Sequence, residues 1–145
     1  MRTSEQGLKL IKDSEQLRLN AYVCPAGVLT IGWGHTGKDV SKGMVITEAE
    51  AESLLQQDVL PVEAFLNNNL ALSQNQFDAL VSLVFNIGIG NFQKSTLFKL
   101  AKENPSDATI AFQFMRWNKA RINGILQVLP GLTKRREAEK KLYFS

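Results

Sequence analysis

Three side chains that could carry out chemistry lie in one short segment of the chain, which runs from Glu15 to His35. Glu15 has a carboxyl group, Cys24 a thiol and Thr30 a hydroxyl. A carboxylic acid can protonate a leaving oxygen, and a group on the other side of the bond can activate a water molecule. This combination suggests cleavage of a glycosidic bond, although the second group in such sites is usually a carboxylate.

Glu15 continues a helical stripe that also contains Leu8 and Ile11, so the pattern predicts that its side chain faces the interior. Burial would raise the pKa of the carboxyl group and keep it protonated near neutral pH, as a general acid requires. The alternative is a helix-end carboxylate that forms a structural ion pair with an arginine. The stripe alone is compatible with both roles.

Cys24 and Thr30 each have a chemical and a structural interpretation. A thiolate at Cys24 could act as a base or a nucleophile, but a nearby carboxylate such as Glu15 would raise the thiol pKa above its ordinary value of about 8.5. The structural alternative for Cys24 is a small, half-buried apolar residue. Thr30 could hold a water molecule through its hydroxyl, or it could simply favour a β-strand.

The elements that must position these residues form the N-terminal part of the chain. Residues 4–14 are predicted to be a helix, begun by a capping box of Thr3 and Gln6. The segment from Asn20 to His35 contains β-branched and aromatic residues interrupted by proline and glycine. This composition predicts a short hairpin or a small sheet.

A long helix is predicted to follow this sheet. Thr47 and Glu50 can form the capping box that opens it. Pro61 lies inside the helix and should kink or split it, because proline lacks an N–H group and clashes with the preceding turn. The inward face is predicted to contain Leu55, Val59, Val62 and Leu66.

The C-terminal half is predicted to be helical. Ser73 and Gln76 form a third capping box, and the helix that they open should end at Gly88 and Gly90. Its predicted inward residues are Phe77, Leu80, Val81 and Val84.

Three further helices are predicted at about 94–103, 107–119 and 133–143, with loops at Asn123-Gly124 and Pro130-Gly131. In the second of these helices the predicted inward residues are Ala108, Ala111, Phe112 and Met115. In the last helix they are Ala138 and Leu142, and its surface should carry a Glu137/Lys141 pair.

Together these elements predict an α+β fold: a small β-containing N-terminal lobe, a long connecting helix and a helical C-terminal lobe. We expect a single domain over residues 1–145. Its N-terminal lobe should cover about 13–60, and its C-terminal lobe about 70–145 with helix 4–14 packed on it. A cleft between two such lobes is a common ligand site.

The composition of the chain limits its function. With a net charge of +3 and 44% hydrophobic residues, it can build a core and suits an acidic partner such as cell wall, membrane surface or nucleic acid. No apolar run is long enough for a membrane span. A single cysteine allows no internal disulfide, and without a Cys/His cluster we expect neither a metal site nor a cofactor.

Taken together, these motifs resemble the phage-type lysozymes, the endolysins of glycoside hydrolase family twenty-four. The family pattern is a glutamate, an aspartate or cysteine, and a threonine at the spacing of Glu15, Cys24 and Thr30, followed by Ile31-Gly-Trp-Gly-His35. Three further segments are similar to family features: Gln76–Gly88 to the cleft-forming helix, Arg116-Trp117 to a core pair, and Gly131–Glu139 to the closing helix.

The resemblance implies a lysozyme-like fold and a role for each site residue. Glu15 would be the general acid, Thr30 would position a water molecule, and Cys24 would assist that water or stabilise the transition state. Further residues would support them: Phe85, Asn86 and Gly34 by lining the sugar-binding cleft, Arg135 (or the near-equal candidate Arg136) by pairing with Glu15, and His35 by holding the hairpin.

The activity that the resemblance implies is that of an N-acetylmuramidase, a bacteriolytic glycosidase that cuts the β-1,4 bond between N-acetylmuramic acid and N-acetylglucosamine in peptidoglycan. Water activation would invert the anomeric centre, whereas a thioglycosyl intermediate on Cys24 would retain it; we favour water activation. The alternatives are a lytic transglycosylase, which needs no water-activating pair, and a peptidoglycan-binding module without catalysis.

The partner implied is the glycan strand of peptidoglycan, and we expect a monomer. Nucleic acid is not expected as a partner, because the basic residues are spread along the chain. We also expect no stable membrane insertion. The enzyme would be made in the cytoplasm of a phage or prophage host and act in the periplasm or cell wall. It would arrive there through a holin or by an N-terminal export segment, which Met1–Gly7 does not provide.

Overall fold

A computed structural model describes the whole chain, Met1–Ser145. It contains seven helices and two small antiparallel sheets, so the predicted α+β class is confirmed. The chain forms two compact units. We call Ile11–Pro61 the hairpin unit, and Met1–Leu10 together with Val62–Ser145 the helical unit. None of the helices has the length and apolar character needed to cross a membrane.

The hairpin unit contains a three-stranded antiparallel sheet between parts of two helices, α1 (Glu5–Ser14) and α2 (Glu48–Asn69). Its strands lie in the order β1 (Arg18–Val23), β2 (Leu29–Gly32) and β3 (His35–Thr36). Tyr22 pairs with Thr30, and Ile31 pairs with His35. The hairpin that was predicted between Asn20 and His35 is therefore confirmed.

Apolar side chains of the sheet and of α2 form the core of the hairpin unit. Gly32 faces α2, where a Cβ atom added at this position would lie 3.5 Å from the Cβ of Ala51, an ordinary van der Waals contact. Gly32 also has a positive φ of 66°, which favours glycine. The buried apolar residues of this unit are Ile11, Ile31, Trp33, Val40, Ile46, Ala51, Leu55 and Val59.

The predicted capping box at the start of α2 is present. The Thr47 N–H donates to the Glu50 carboxylate at 3.1 Å, and the Glu50 N–H donates to the Thr47 hydroxyl at 3.1 Å. The four residues that were predicted to face inward are all buried: Leu55, Val59, Val62 and Leu66. Pro61 lies within the continuous helix, so it does not split the helix, and the alternative expectation of a kink stays a prediction.

The helical unit contains α3 (Gln74–Ile87), α4 (Ile89–Gln93), α5 (Thr96–Glu103), α6 (Ile110–Met115) and α7 (Pro130–Tyr143). The Ser73/Gln76 capping box opens α3 as predicted, and Gly88 with φ 90° ends it. Gly90 lies inside α4 instead of ending α3. The predicted inward residues of α3 are all buried, and this helix packs against α7.

The start of α1 differs from the prediction. The Thr3 N–H and hydroxyl both donate to the carboxylate of Glu63, at 2.6 and 2.7 Å, and the Ser4 N–H donates to Asp78 at 3.0 Å. Thr3 therefore fastens the N-terminal residues to α2 instead of forming a capping box with Gln6. Glu63 and Asp78 are both buried, so these bonds satisfy carboxylates that would otherwise be costly to bury.

The last two helices bury only part of the predicted inward set, since Leu142 is buried but Phe112 and Ala138 are exposed. In α6 the buried residues are Ile110 and Phe114, while Phe112 is 74% exposed. In α7, Ala138 is exposed and Leu142 is buried. Glu137 pairs with Lys140 at 3.1 Å and not with Lys141. The helix predicted over 107–119 is also shorter in the structure, because the chain turns into a strand after it.

That strand belongs to a second hairpin, which the sequence analysis treated only as a loop. β4 (Lys119–Ile122) pairs with β5 (Ile125–Val128), and Ile122 lies opposite Ile125. The two-residue turn consists of Asn123 with φ 52° and Gly124 with φ 79°. Positive φ at both positions defines the turn type that best matches the twist of a hairpin, and Asn-Gly is its preferred sequence.

Candidate functional site

Glu15 lies immediately after the last residue of α1, where its N–H still donates to the Ile11 carbonyl at 2.8 Å. Its side chain is half-buried and not fully interior as the helical stripe predicted. The helix ends at Ser14, so Glu15 no longer follows the direction of that stripe. A half-buried carboxyl group at the end of a helix is accessible to a substrate.

Gly34 provides the space for this carboxyl group. A Cβ atom added to Gly34 would lie 3.1 Å from Oε2 of Glu15, and Gly34 has a positive φ of 78°. The turn between β2 and β3 therefore approaches the carboxylate with bare backbone, which only glycine permits at this distance and conformation. Glu15 and Gly34, both predicted site residues, are thus in contact.

The segment that precedes Glu15 is fixed by a second set of contacts in the hairpin unit. The Lys12 ammonium lies 4.7 Å from the centre of the Trp33 ring and also forms an ion pair with Glu52 of α2. Trp33 is buried and directly precedes Gly34. These contacts connect the end of α1 with the turn that touches Glu15, and so they limit the movement of the carboxyl group.

Cys24 occupies the tight turn between β1 and β2. Its N–H donates to the Val28 carbonyl at 3.0 Å, and its own carbonyl accepts from the Gly27 N–H at 2.8 Å. Gly27 has φ 80°, so glycine is the residue suited to this turn. The Cys24 side chain is half-buried.

Cys24 and Thr30 belong to the same β1–β2 hairpin. Tyr22 pairs with Thr30, and Cys24 follows the end of β1 at Val23. The Cys24 N–H and the Thr30 hydroxyl both donate to the Val28 carbonyl, at 3.0 and 2.9 Å. The structure therefore brings these two predicted residues together.

The pKa of Cys24 is lowered from its ordinary value. The main cause is a hydrogen bond from the Val28 backbone, followed by the Thr30 hydroxyl and the Ala26 backbone, and together these outweigh a small opposing effect of burial. The expectation that a neighbouring carboxylate raises this pKa is therefore wrong. The donors of the hairpin turn dominate, and they favour the thiolate.

His35 is buried on β3, and both of its ring nitrogens contact carboxylates. Nδ1 lies 2.8 Å from Asp58 of α2, and Nε2 lies 2.9 Å from Asp39. Burial alone would lower the pKa of His35, but the hydrogen bonds to Asp58 and Asp39 outweigh burial and raise it. Burial raises the pKa of Asp58, and its bond to His35 only partly offsets this.

The two aspartates were missed by the sequence analysis. The spacing of His35 and Asp39 is a weak local signal, whereas Asp58 lies on α2 and only the fold brings it to His35. Because both nitrogens are occupied, the imidazole ring is held in one orientation. This is the geometry of a residue that supports β3 and the turn at Gly34, next to Glu15.

The remaining predicted residues lie in the helical unit. Phe85 and Asn86 are in the last turn of α3, where Phe85 is half-buried and Asn86 is exposed. Arg135 and Arg136 are both buried on α7. The prediction that one of these arginines pairs with Glu15 remains a prediction.

Arg135 and Arg136 contact the carboxylate of Glu139, which is fully buried. Nε of Arg136 lies 2.7 Å from this carboxylate and Nε of Arg135 lies 3.3 Å from it, while the Ser82 hydroxyl donates to it at 2.6 Å. Arg135 also donates to the Ser82 carbonyl at 3.1 Å. We call Ser82, Arg135, Arg136 and Glu139 the buried ion network.

Burial raises the pKa of Glu139, and the two guanidinium groups and Ser82 oppose this change. Ser82 and Glu139 were not predicted from the sequence, because only the packing of α3 against α7 brings them to the arginines. Across the chain, no group of three or more histidine, cysteine, aspartate or glutamate side chains has the arrangement needed to hold a metal ion.

Comparisons with known proteins agree on one family. The family model described as Phage lysozyme matches residues 12–139. An endolysin of Acyrthosiphon pisum secondary endosymbiont phage 1 is 51% identical, over all of this chain and 99% of that protein.

Two solved structures are also similar to this chain over almost its whole length. The endolysin from Escherichia coli O157:H7 phage FAHEc1 is 38% identical, with a TM-score of 0.93 over all of this chain and 94% of that one. The muramidase domain of SpmX from Asticaccaulis excentricus is 39% identical, with a TM-score of 0.90 over 99% of this chain and 98% of that one.

Proposed function

Because the chain belongs to the phage lysozyme family, we propose that it is an endolysin that hydrolyses the β-1,4 bond between N-acetylmuramic acid and N-acetylglucosamine in bacterial peptidoglycan. Its class is that of the lysozymes, which are glycosidases, and its biological role is lysis of the host cell. The observation that carries the proposal is the site geometry. A half-buried Glu15 lies against the bare backbone of Gly34, and Cys24 and Thr30 both donate hydrogen bonds to the Val28 carbonyl in the β1–β2 hairpin.

In this proposal Glu15 is the general acid. Its proton passes to the glycosidic oxygen as the bond to C1 breaks, and a water molecule attacks C1 from the opposite side. The Cys24 thiolate accepts a proton from that water, and the Thr30 hydroxyl orients it. The products are two sugar chain ends, a Glu15 carboxylate and a Cys24 thiol, and proton exchange with solvent restores the starting state.

Direct attack by water inverts the configuration at C1. The lowered pKa of Cys24 supports a thiolate as the base, since a neutral thiol removes a proton poorly. A thiolate could also attack C1 itself and give retention through a thioglycosyl intermediate. The anomeric configuration of the first product, read by NMR before mutarotation, separates the two routes.

Other residues have supporting roles in the proposal. Gly34, Phe85 and Asn86 line the substrate cleft, and Arg135 pairs with Glu15, with Arg136 as the alternative partner. His35, held between Asp39 and Asp58, supports the turn that carries Gly34. The reaction as written uses acid–base chemistry of side chains and needs no cofactor.

The proposed partner is the glycan strand of peptidoglycan, which the enzyme binds as a monomer. It acts on the cell wall, and we propose that it is made in the cytoplasm of the host and reaches the wall after holin release or by an N-terminal export signal. The basic net charge of +3 assists binding to an anionic wall, so binding should weaken as salt concentration rises.

The test is digestion of purified Gram-negative peptidoglycan by the parent protein and by Glu15→Gln, with the soluble muropeptides read by mass spectrometry. We expect products that end in reducing N-acetylmuramic acid, and a loss of roughly 10³-fold in rate for Glu15→Gln, since a general acid contributes about 10²–10⁴-fold. Anhydro products would identify a lytic transglycosylase instead. No soluble product from the parent would leave a peptidoglycan-binding module without catalysis.

A further inference from the structure

The second hairpin, formed by β4 and β5, exposes large aliphatic side chains to solvent. Ile122 and Ile125, which flank its turn, are 41% and 62% exposed, and Leu126 and Val128 are 56% and 55% exposed. The two strands pair with each other and with no further strand. Every residue of β5 is exposed, so the core of the helical unit does not account for these aliphatic residues.

The register of the hairpin places its aliphatic and basic side chains in a definite order. From the turn outward, the cross-strand pairs are Ile122/Ile125, Arg121/Leu126 and Lys119/Val128. Residues directly opposite each other have side chains on the same face, and faces alternate along a strand. The tip is therefore aliphatic, and the two cations lie behind it on one face.

The base of the second hairpin is fixed to α7 by hydrogen bonds. The Leu129 N–H donates to the Asn118 carbonyl at 3.0 Å, and the Asn118 amide donates to the Thr133 hydroxyl at 3.2 Å. Arg136 donates to the Trp117 carbonyl at 3.2 Å. The hairpin is thus a preformed projection, which reduces the entropy that must be lost when it binds a partner.

The positive charge of the protein is concentrated around this hairpin in the sequence. Between Asp107 and Glu137 the chain has six basic residues and no acidic one, although it contains 17 basic and 14 acidic residues in total. Arg135 and Arg136 belong to the buried ion network. The four exposed basic residues of the segment are Arg116, Lys119, Arg121 and Lys134. A surface with cations and no carboxylates of its own segment is complementary to an anionic partner.

We propose that the second hairpin docks on the surface of an anionic phospholipid bilayer. Ile122 and Ile125 enter the boundary between headgroups and acyl chains, while Lys119 and Arg121 contact lipid phosphates. The contact is peripheral and reversible, which agrees with the expectation of no stable membrane insertion. This inference goes beyond the proposed function and does not depend on it.

A lipid surface fits the hairpin better than peptidoglycan does. Peptidoglycan carries carboxylates that could pair with Lys119 and Arg121, but it is polar throughout and has no apolar layer for an aliphatic tip. In a bilayer the phosphates lie outside the acyl chains, and cations and aliphatic residues follow the same order along the hairpin. Arg121 also donates to the Gly124 carbonyl at 3.2 Å, so this polar group of the turn has a partner before it leaves water.

The first experiment measures cosedimentation of the protein with vesicles of phosphatidylglycerol in about three parts of phosphatidylethanolamine, with neutral phosphatidylcholine vesicles as the reference. We expect the parent to bind only the anionic vesicles, more weakly as salt concentration rises. Lys119→Gln/Arg121→Gln should weaken binding roughly 25-fold, since each cation near an anionic surface contributes about fivefold. Ile122→Thr/Ile125→Thr, which keeps β-branched residues, should weaken binding about tenfold.

The matched control is Lys94→Gln/Lys99→Gln. It removes the same charge from two exposed positions of the helical unit outside the second hairpin, and we expect a loss of less than about twofold. Circular dichroism checks the fold of each variant. Equal losses in the two charge variants, or parent-like binding by Ile122→Thr/Ile125→Thr, would overturn the proposal, because net charge alone would then explain the binding.

The same variants are cosedimented with purified peptidoglycan. We expect them to bind it within about twofold of the parent, since the hairpin is assigned to lipid and the change in net charge is small. If the hairpin variants lose binding to peptidoglycan but keep binding to anionic vesicles, the hairpin serves the wall and the proposal is wrong.

The second experiment asks whether the tip enters the bilayer. An environment-sensitive fluorophore is attached at Ile125→Cys in a Cys24→Ser background, which removes the only native cysteine. We expect a blue shift of its emission with anionic vesicles, because apolar surroundings replace water, and no shift for the same label at Lys99→Cys. A tip label that stays in water while the protein sediments with anionic vesicles would contradict docking through the hairpin.

Discussion

Two clusters of polar and ionisable side chains in this protein have opposite surroundings. The buried ion network of the helical unit consists of side chains that are at most 5% exposed, and each contacts others of the set. Glu15, Cys24 and Thr30, which we call the hairpin site, lie on a helix end and a tight turn. Its two ionisable groups, Glu15 and Cys24, are half-buried.

Charged residues have a structural role in the buried ion network and a chemical role in the hairpin site. A carboxylate that is buried and bonded to two guanidinium groups and a hydroxyl has little capacity left to bind a substrate. Removing one of its partners leaves a buried charge without compensation, which destabilises the fold. A half-buried carboxyl or thiol group remains accessible, and a few donors can adjust its protonation. We therefore expect changes in the network to affect stability and changes in the hairpin site to affect rate.

The largest effect that distinguishes the buried ion network from the hairpin site is expected at Glu139. Replacing it with alanine leaves two buried guanidinium groups without their shared carboxylate, and we expect a loss of about 3–5 kcal/mol in the free energy of unfolding. Urea denaturation followed by circular dichroism measures it. The matched control is Glu137→Ala on the same helix, which breaks an exposed pair with Lys140 and should cost less than about 1 kcal/mol. Similar losses in both variants would contradict the distinction.

The second test replaces Cys24 in the hairpin site. Cys24→Ala removes the base, and we expect hydrolysis of peptidoglycan to slow by about 10²-fold while the melting temperature changes by only about 2 °C. Cys24→Asp supplies a carboxylate at the same position and should retain most of the activity. Release of reducing sugar ends measures both variants. If Cys24→Ala cleaves as fast as the parent, Cys24 has no role in the reaction.

The same contrast explains which features could be predicted from sequence. Apolar stripes with helical spacing predicted the buried faces of α2 and α3, and short capping motifs predicted where both helices start. In α7 the buried residues also follow helical spacing, yet three of them are charged: Arg135, Arg136 and Glu139. Apolar periodicity therefore predicted Ala138, which is exposed, as an inward residue instead.

Contacts between residues of distant elements could not be predicted from the sequence either. Asp58 reaches His35, and Ser82 reaches Glu139, only after the chain has folded. The β4–β5 hairpin was missed although Asn123-Gly124 is a favoured hairpin turn. All four residues of β5 are exposed, so the strand lacks the alternation of buried and exposed residues that usually identifies one.

A third test uses pH and concerns His35. This residue is buried, as the side chains of the ion network are, but it is bonded to Asp39, which is more exposed. The pKa values of His35 and Asp58 are both raised, so the folded protein binds protons more readily than the unfolded chain. The stabilising contribution of His35 is complete below its ordinary pKa of about 6.5 and is lost as pH rises through the higher folded-state value.

Asp58→Asn should lower the His35 pKa and reduce this pH-dependent loss of stability by about 1 kcal/mol, after allowance for screening by solvent. NMR titration of the only histidine measures the pKa, and urea denaturation at pH 6 and pH 9 measures the stability. Asp39→Asn serves as the control and should have a smaller effect, because Asp39 is more exposed than Asp58. A His35 pKa that does not move in Asp58→Asn would argue against the pairing.

We expect the smallest effects from replacing glycine with alanine at two positions, one in the second hairpin and one in a helix. Gly124 has φ 79°, so Gly124→Ala should destabilise the protein by about 1 kcal/mol even though nothing lies within 4 Å of the added methyl group. Gly131 lies in the first turn of α7, also has open space, and has no positive φ. Gly131→Ala should therefore stabilise by about 0.5 kcal/mol, because alanine favours helices.

Thermal denaturation measures both variants, and shifts of the same sign would mean that space and not backbone conformation controls these positions. Neither change touches the hairpin site, so muropeptide release should remain at the parent rate in both.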